Sequence, residues 1–191
     1  MSVINVKHNI IFIRVPRTAS TSIGNVSFIG NGSHTRAINI RKIVGRNLRG
    51  CPLYNDMFKF GFTRNPWDRL LSGYSYKKDS VNRGEFNEFV KGIDGAKIHL
   101  WDQSNPFYLV PQWRYLCDEH ERILVDFVGR YENLQEDWEK VCQKLGMYED
   151  LQFYNMGKQL PYKEYYTEET REKVFELYKE DIEIFDYKFD M

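Results

Sequence analysis

Residue types suited to hold an anion are gathered in two places. Across positions 17–22 the chain reads Arg17-Thr18-Ala19-Ser20-Thr21-Ser22, a guanidinium followed by a run of hydroxyls. Arginine and backbone N–H groups make the strong, charge-assisted hydrogen bonds that phosphate or sulfate oxygens accept. A turn that opens a helix also aims several amides at one point and adds the positive end of the helix dipole. An ordinary strand-to-helix connection with a Ser/Thr cap fits the same residues equally well. It is not a Walker A loop, because the Gly-x-x-x-x-Gly-Lys-Ser/Thr pattern and its lysine are absent. The second place is Arg64-Asn65-Pro66-Trp67-Asp68-Arg69-Leu70-Leu71-Ser72. Asn65 is a good N-cap and Pro66 sits where proline is tolerated, at the first helical position, so a cation is again delivered to a helix start.

Proton transfer near neutral pH points to histidine, of which there are four: His8, His34, His99 and His120. His34 follows the glycine loop Gly30-Asn31-Gly32-Ser33. His8 precedes the far end of a strand and His120 sits in the charged run Asp118-Glu119-His120-Glu121, and both read as solvent-facing. His99, the second candidate for a base after His34, lies in an irregular segment over 78–111 that leads on to Trp113 and Arg114. Together His99, Trp101 and Arg114 are the candidate acceptor contacts, with aromatic packing over the core as the competing reading. A lone histidine is more often structural than catalytic, and Glu85 and Asp102 stand as carboxylate alternatives for a base. The spacing of His, Cys and acidic residues matches no metal-ligand pattern, so no metal is expected.

The elements that would position these groups alternate in type. Ile10, Ile11, Phe12, Ile13 and Val15 form a short β-branched and aromatic run that favours a buried strand, stopped by Pro16. A second strand is predicted over 57–63, where Phe58, Phe60 and Phe62 alternate, and a third over 122–128. Helices are predicted over 35–48 (basic), from Pro66, over 85–91, over 133–145 with Asn133 and Glu136 as a capping box and Gly146 beyond the end, and from a Thr167 cap. Strands alternating with helices indicate an α/β protein with a central, mainly parallel sheet. Two strand-to-helix junctions on neighbouring parallel strands would face one crevice beyond the carboxyl ends of the strands.

At 191 residues, with 42% hydrophobic and 16% aromatic content, the chain suits a single globular domain over 1–191. Lys plus Arg and Asp plus Glu are both 27, which argues against nucleic acid as a partner. The three cysteines, Cys51, Cys117 and Cys142, form no framework and suit a reducing compartment. Neither a bilayer-spanning run of ~20 apolar residues nor a signal-peptide pattern is present, so a cytoplasmic protein with no membrane contact is expected. The sequence is silent on oligomeric state.

Val15-Pro16-Arg17-Thr18-Ala19-Ser20-Thr21-Ser22 resembles the P-K-T-(A/G)-(G/S)-T-S loop of carbohydrate-type sulfotransferases, the heparan and chondroitin sulfotransferases of the Golgi. The segment from Phe62 to Tyr74 resembles their R-N-P-(W/Y)-D-R-L-x-S-x-Y motif. Asp126-Phe127-Val128-Gly129-Arg130-Tyr131-Glu132-Asn133-Leu134 and Tyr165-Tyr166-Thr167-Glu168-Glu169-Thr170 follow in the family's order, so the resemblance covers nearly the whole chain. It implies a P-loop-like three-layer fold and the donor 3′-phosphoadenosine 5′-phosphosulfate (PAPS), with adenosine 3′,5′-bisphosphate (PAP) as product. Residues 17–22 would hold the 5′-phosphosulfate, with Arg17 also stabilising the leaving group. Arg64 and Ser72 would hold the 3′-phosphate, and Lys158 would lie in a loop over the cofactor. His34 would be the catalytic base and a small-molecule or glycan hydroxyl the acceptor. Arg17 stands where the family usually has Lys, a planar fork in place of a point charge, which bears on turnover more than on binding. A non-catalytic binder of adenosine bisphosphates or sulfated ligands, and a small P-loop-type kinase, are the competing functions.

Overall fold

The computed structural model describes residues 2–44, 54–76, 78, 80–98, 106–152 and 161–190. In chain order the elements are β1 (Val3–Asn5), β2 (Ile10–Ile13), α1 (Ser20–Gly24), α2 (Ala37–Val44), β3 (Phe58–Thr63), α3 (Pro66–Tyr74), α4 (Arg83–Gly92), α5 (Gly95–Ile98), α6 (Trp113–Leu116), β4 (Phe127–Arg130), α7 (Leu134–Leu145), α8 (Glu168–Leu177) and α9 (Lys179–Phe185). The sheet order is β1-β2-β3-β4, with β1 antiparallel to β2 and the other two pairings parallel. This is the α/β class with a mainly parallel sheet that the alternation of elements predicts. By internal packing the chain divides into two units, Met1–Thr63 with Gln112–Tyr154 and Arg64–Pro111 with Asn155–Met191.

In the first unit β2 is buried at every position, as its uninterrupted apolar run requires. Phe12 stacks on Phe60 with ring centroids 4.9 Å apart, and Phe60 meets Phe62 edge-on at 6.3 Å. Each of these fully buried rings contributes about 1.5–3 kcal/mol through area removed from water. Trp138 of α7 joins the same core beside Phe28, with Val141 on the same helix face. β2 and β3 run side by side in register, Ile13 opposite Gly61, so their carboxyl ends lie at one edge of the sheet.

Three sequence expectations need correction here. The third strand is β4, not 122–128. Asp126 accepts the Lys59 backbone N–H (2.8 Å) and pairs with its ammonium (2.8 Å), and the ladder begins only at Phe127 and runs to Arg130. Ile123 makes only an isolated bridge to Cys117. The Asn133 capping box does not form; residues 131–133 make a 3₁₀ turn, and the buried Asp137 instead accepts the Arg130 N–H at 2.7 Å. β1 was not expected, three residues being too short for a periodic signal. The basic helix is observed as α2, and 45–50 lie outside the described residues.

The second unit is built on α3. Asn65 caps it by accepting the Trp67 N–H (3.2 Å) and donates to the Lys188 carbonyl (2.8 Å) and the Tyr162 hydroxyl (3.2 Å). Arg69 is 1% exposed and its two Nη atoms donate to the carbonyls of Tyr108 and Val110, both at 3.0 Å. Its guanidinium lies over the Tyr178 ring, with the buried Asp181 carboxylate at 4.0 Å. Gly73 admits Tyr108 where a Cβ would meet the ring at 2.3 Å. The segment over 78–111 is therefore less irregular than its sequence reads: it holds α4, α5 and a buried stretch at Leu109 and Val110. At the far end, Thr167 caps α8 in a capping box closed by Thr170.

Candidate active site

Beyond β2 the chain turns sharply. Arg17 and Ala19 have positive φ (67° and 59°) while Thr18 between them does not, so the backbone alternates in hand just before α1. Left-handed geometry costs a non-glycine residue roughly 1–2 kcal/mol. Such alternation turns successive N–H groups toward one side, which is the geometry of an anion nest. No side chain caps α1 at Ala19. The Thr18 hydroxyl donates inward to the Val15 carbonyl at 3.0 Å, so from Thr18 it is the backbone N–H that is suited to an anion. Ser20 and Ser22 are buried, Thr21 is exposed and Arg17 is partly exposed.

His34 is held from two directions within the same unit. Its Nδ1 lies 2.7 Å from the Arg14 carbonyl oxygen. A carbonyl only accepts, so Nδ1 carries the proton and Nε2 presents a lone pair, the tautomer a general base needs. Burial lowers the His34 pKa; the hydrogen bond to Arg14 opposes that, and the Arg14 charge adds to it. The ring is therefore neutral at neutral pH. The neighbouring residue is fixed by Ser2, whose hydroxyl donates to the Thr35 carbonyl (2.7 Å) and accepts the N–H of both Thr35 (3.2 Å) and Arg14 (3.1 Å).

Arg114 lies on α6, which packs against α2, and its backbone carbonyl accepts from Arg36 Nε at 2.7 Å. Its guanidinium sits over the Trp113 ring at 4.9 Å, and Trp113 itself is buried, so this part of the candidate acceptor stretch is helix and core. His99, Trp101 and Lys158, with the carboxylate alternative Asp102, lie outside the described residues. Glu85 is exposed in the first turn of α4, His120 is exposed and His8 is partly buried.

In the second unit Arg64 immediately precedes the cap of α3. Its Nε donates to Asp68 Oδ2 at 2.7 Å, which fixes the guanidinium one helical turn from its own backbone. Ser72 is buried on α3. Sequence reasoning passed over three of these groups. Asp68 was readable as an i,i+4 partner of Arg64. Arg14 was readable as a charge inside the apolar run Ile13-Arg14-Val15. Ser2 carried no signal, because its role rests on contacts made more than ten residues away.

Comparison with known proteins follows the same lines. A model of the sulfotransferase family matches residues 1–188. An uncharacterized protein of Archaeoglobus fulgidus is 38% identical over 109 residues, 56% of this chain and 82% of that protein. Human carbohydrate sulfotransferase 9 is 25% identical over 184 residues, 78% of this chain, and the match spans 42% of the human protein. No solved structure gives a significant match. The mainly parallel sheet accords with a P-loop-like fold, and with a family model matched over almost its whole length, this chain belongs to the sulfotransferase family.

Proposed function

We propose that the chain moves a sulfuryl group from PAPS to an acceptor hydroxyl, and that the acceptor is a carbohydrate. The family match supports sulfuryl transfer, and likeness to a carbohydrate sulfotransferase supports the acceptor class. The family model runs through both units, which supports reading 1–191 as one sulfotransferase-like domain.

The observation that carries the proposal is the His34 tautomer, a neutral imidazole pinned through Nδ1 with its lone pair on Nε2. PAPS supplies the sulfuryl group and a phosphate leaving group. His34 Nε2 accepts the proton of the acceptor hydroxyl as its oxygen forms the new bond to sulfur, and the bond from sulfur to the phosphate oxygen breaks. Arg17 and the amides of 17–22 meet the negative charge that grows on that oxygen, preorganised by the backbone alternation. Arg64, oriented by Asp68, and Ser72 hold the 3′-phosphate. Arg17 presents a fork where the family usually has an ammonium, so two of its N–H groups can engage phosphate oxygens together.

Isothermal calorimetry separates this reading from the kinase, and a sulfate-transfer assay separates it from a non-catalytic binder. PAP should bind at least tenfold more tightly than ATP with magnesium. The reverse order would favour a kinase and sink the proposal.

A further inference from the structure

Arg14 has no part in the chemistry above, yet it is buried at the carboxyl end of β2 with only 7% of its surface exposed. Its Nη1 donates to Asn31 Oδ1 at 3.1 Å and to the Gly32 carbonyl at 2.7 Å. Among the described residues its Nε is buried without a hydrogen-bond partner. A guanidinium held by neutral oxygens, with one N–H orphaned, costs stability that an apolar side chain of similar volume would not. The fold also makes room for it: a Cβ at Gly24 would lie 2.8 Å from Asn31 Oδ1 and 3.2 Å from Arg14 Nη1. The clamped turn runs directly into His34, whose ring returns to the carbonyl of the same arginine. One residue thus grips the loop by its side chain and the histidine by its backbone.

We propose that Arg14 is a positioning residue for His34, its guanidinium fixing the Asn31-Gly32 turn so that the Arg14 carbonyl holds the proton on Nδ1 and keeps the lone pair on Nε2. The inference rests on the reading of His34 as the base. The positive charge of Arg14 bears on the ring and disfavours the imidazolium.

The test reads the histidine itself. In ¹⁵N-labelled protein, long-range ¹H–¹⁵N correlations report the tautomer and pKa of each histidine, with His34 assigned by its loss in His34→Ala. Wild type should show His34 protonated at Nδ1 and titrating below the ordinary histidine range. In Arg14→Met the Nε2–H tautomer should appear and the His34 pKa should rise. Sulfate transfer should fall about 10-fold or more, since the wrong tautomer offers no lone pair at Nε2. Affinity for PAP should stay within twofold. Arg14→Lys keeps the charge without the fork, and should hold the pKa low while losing the tautomer. Should Arg14→Met not fold, Asn31→Ala removes one acceptor of the clamp from an exposed loop and should shift the tautomer in the same direction. A folded Arg14→Met or Asn31→Ala protein with the wild-type His34 tautomer and pKa overturns the inference. If the tautomer shifts as expected but His34→Ala transfers sulfate within a few-fold of wild type, the positioning role stands and the base assignment falls.

Discussion

The two strand-to-helix junctions reach similar ends by opposite means. The turn after β2 is shaped by backbone strain: two non-glycine residues in left-handed geometry, a five-residue helix and no side-chain cap. The turn after β3 is shaped by side chains: Asn65 caps, Pro66 starts the helix, Asp68 orients Arg64, and nine helical residues follow. Strain of this kind persists where surrounding structure over-determines it, and it favours a backbone that presents amides. Capping spends its hydrogen bonds on the helix itself and leaves a side chain to meet the ligand. On the proposed reading the first junction would work mainly through backbone amides beside Arg17 and the second through the Arg64 side chain, and substitutions should separate them.

The largest effect is expected beside the first junction. His34→Ala should lower turnover about 10²–10⁴-fold, the usual range for a general base, and leave affinity for PAP nearly unchanged. The wild-type rate should climb with pH along one ionisation below the ordinary histidine range, a step the mutant lacks. Folding stability should follow the same group. Because burial depresses the His34 pKa, the unfolded chain takes up its proton first as pH falls. Stability from this residue is full above the unfolded value and is lost as pH drops through the folded one. Rate profiles and thermal melts across that window check both statements.

At the second junction, Arg64→Ala should weaken PAP by about 1.5–3 kcal/mol while barely touching adenosine 5′-phosphate, as loss of a charge-assisted hydrogen bond predicts. Equal losses in calorimetry would make Arg64 a general anion contact and erase the distinction between the junctions. Asn65→Ala should cost the fold about 1–2 kcal/mol, since it removes a cap and two further hydrogen bonds. Denaturant unfolding would read this, and an unchanged midpoint would mean that α3 is held by packing alone. The smallest change is a gain. Ala19→Gly relieves a left-handed alanine and should stabilise the protein by about 1 kcal/mol, whereas the same exchange in an ordinary helix destabilises.

How legible the molecule is in its sequence follows the same division. Local signals carried the capped junction: Asn65-Pro66, the aromatic alternation of β3 and the Gly146 stop of α7 are all observed where the residues predict them. Long-range contacts did not show. Nothing local says that Asp126 would take the Lys59 N–H and that β4 would begin only at Phe127, or that Asp137 would displace the Asn133 box by reaching Arg130. The roles of Arg14 and Ser2 rest on partners 12 to 33 residues away, beyond any helical or strand period. Likewise the left-handed turn at Ala19 is legible only as a hydroxyl-rich loop, since alanine does not advertise that geometry.

The most direct test of the account is transfer of radiolabelled sulfate from PAPS to a panel of carbohydrate acceptors, with wild type and His34→Ala measured side by side. The account predicts label on an acceptor hydroxyl, one PAP released per sulfate moved, and loss of about 10²–10⁴-fold of that rate without His34. Tight binding of PAP with no label moved to any acceptor would contradict it and leave a binding protein in place of an enzyme.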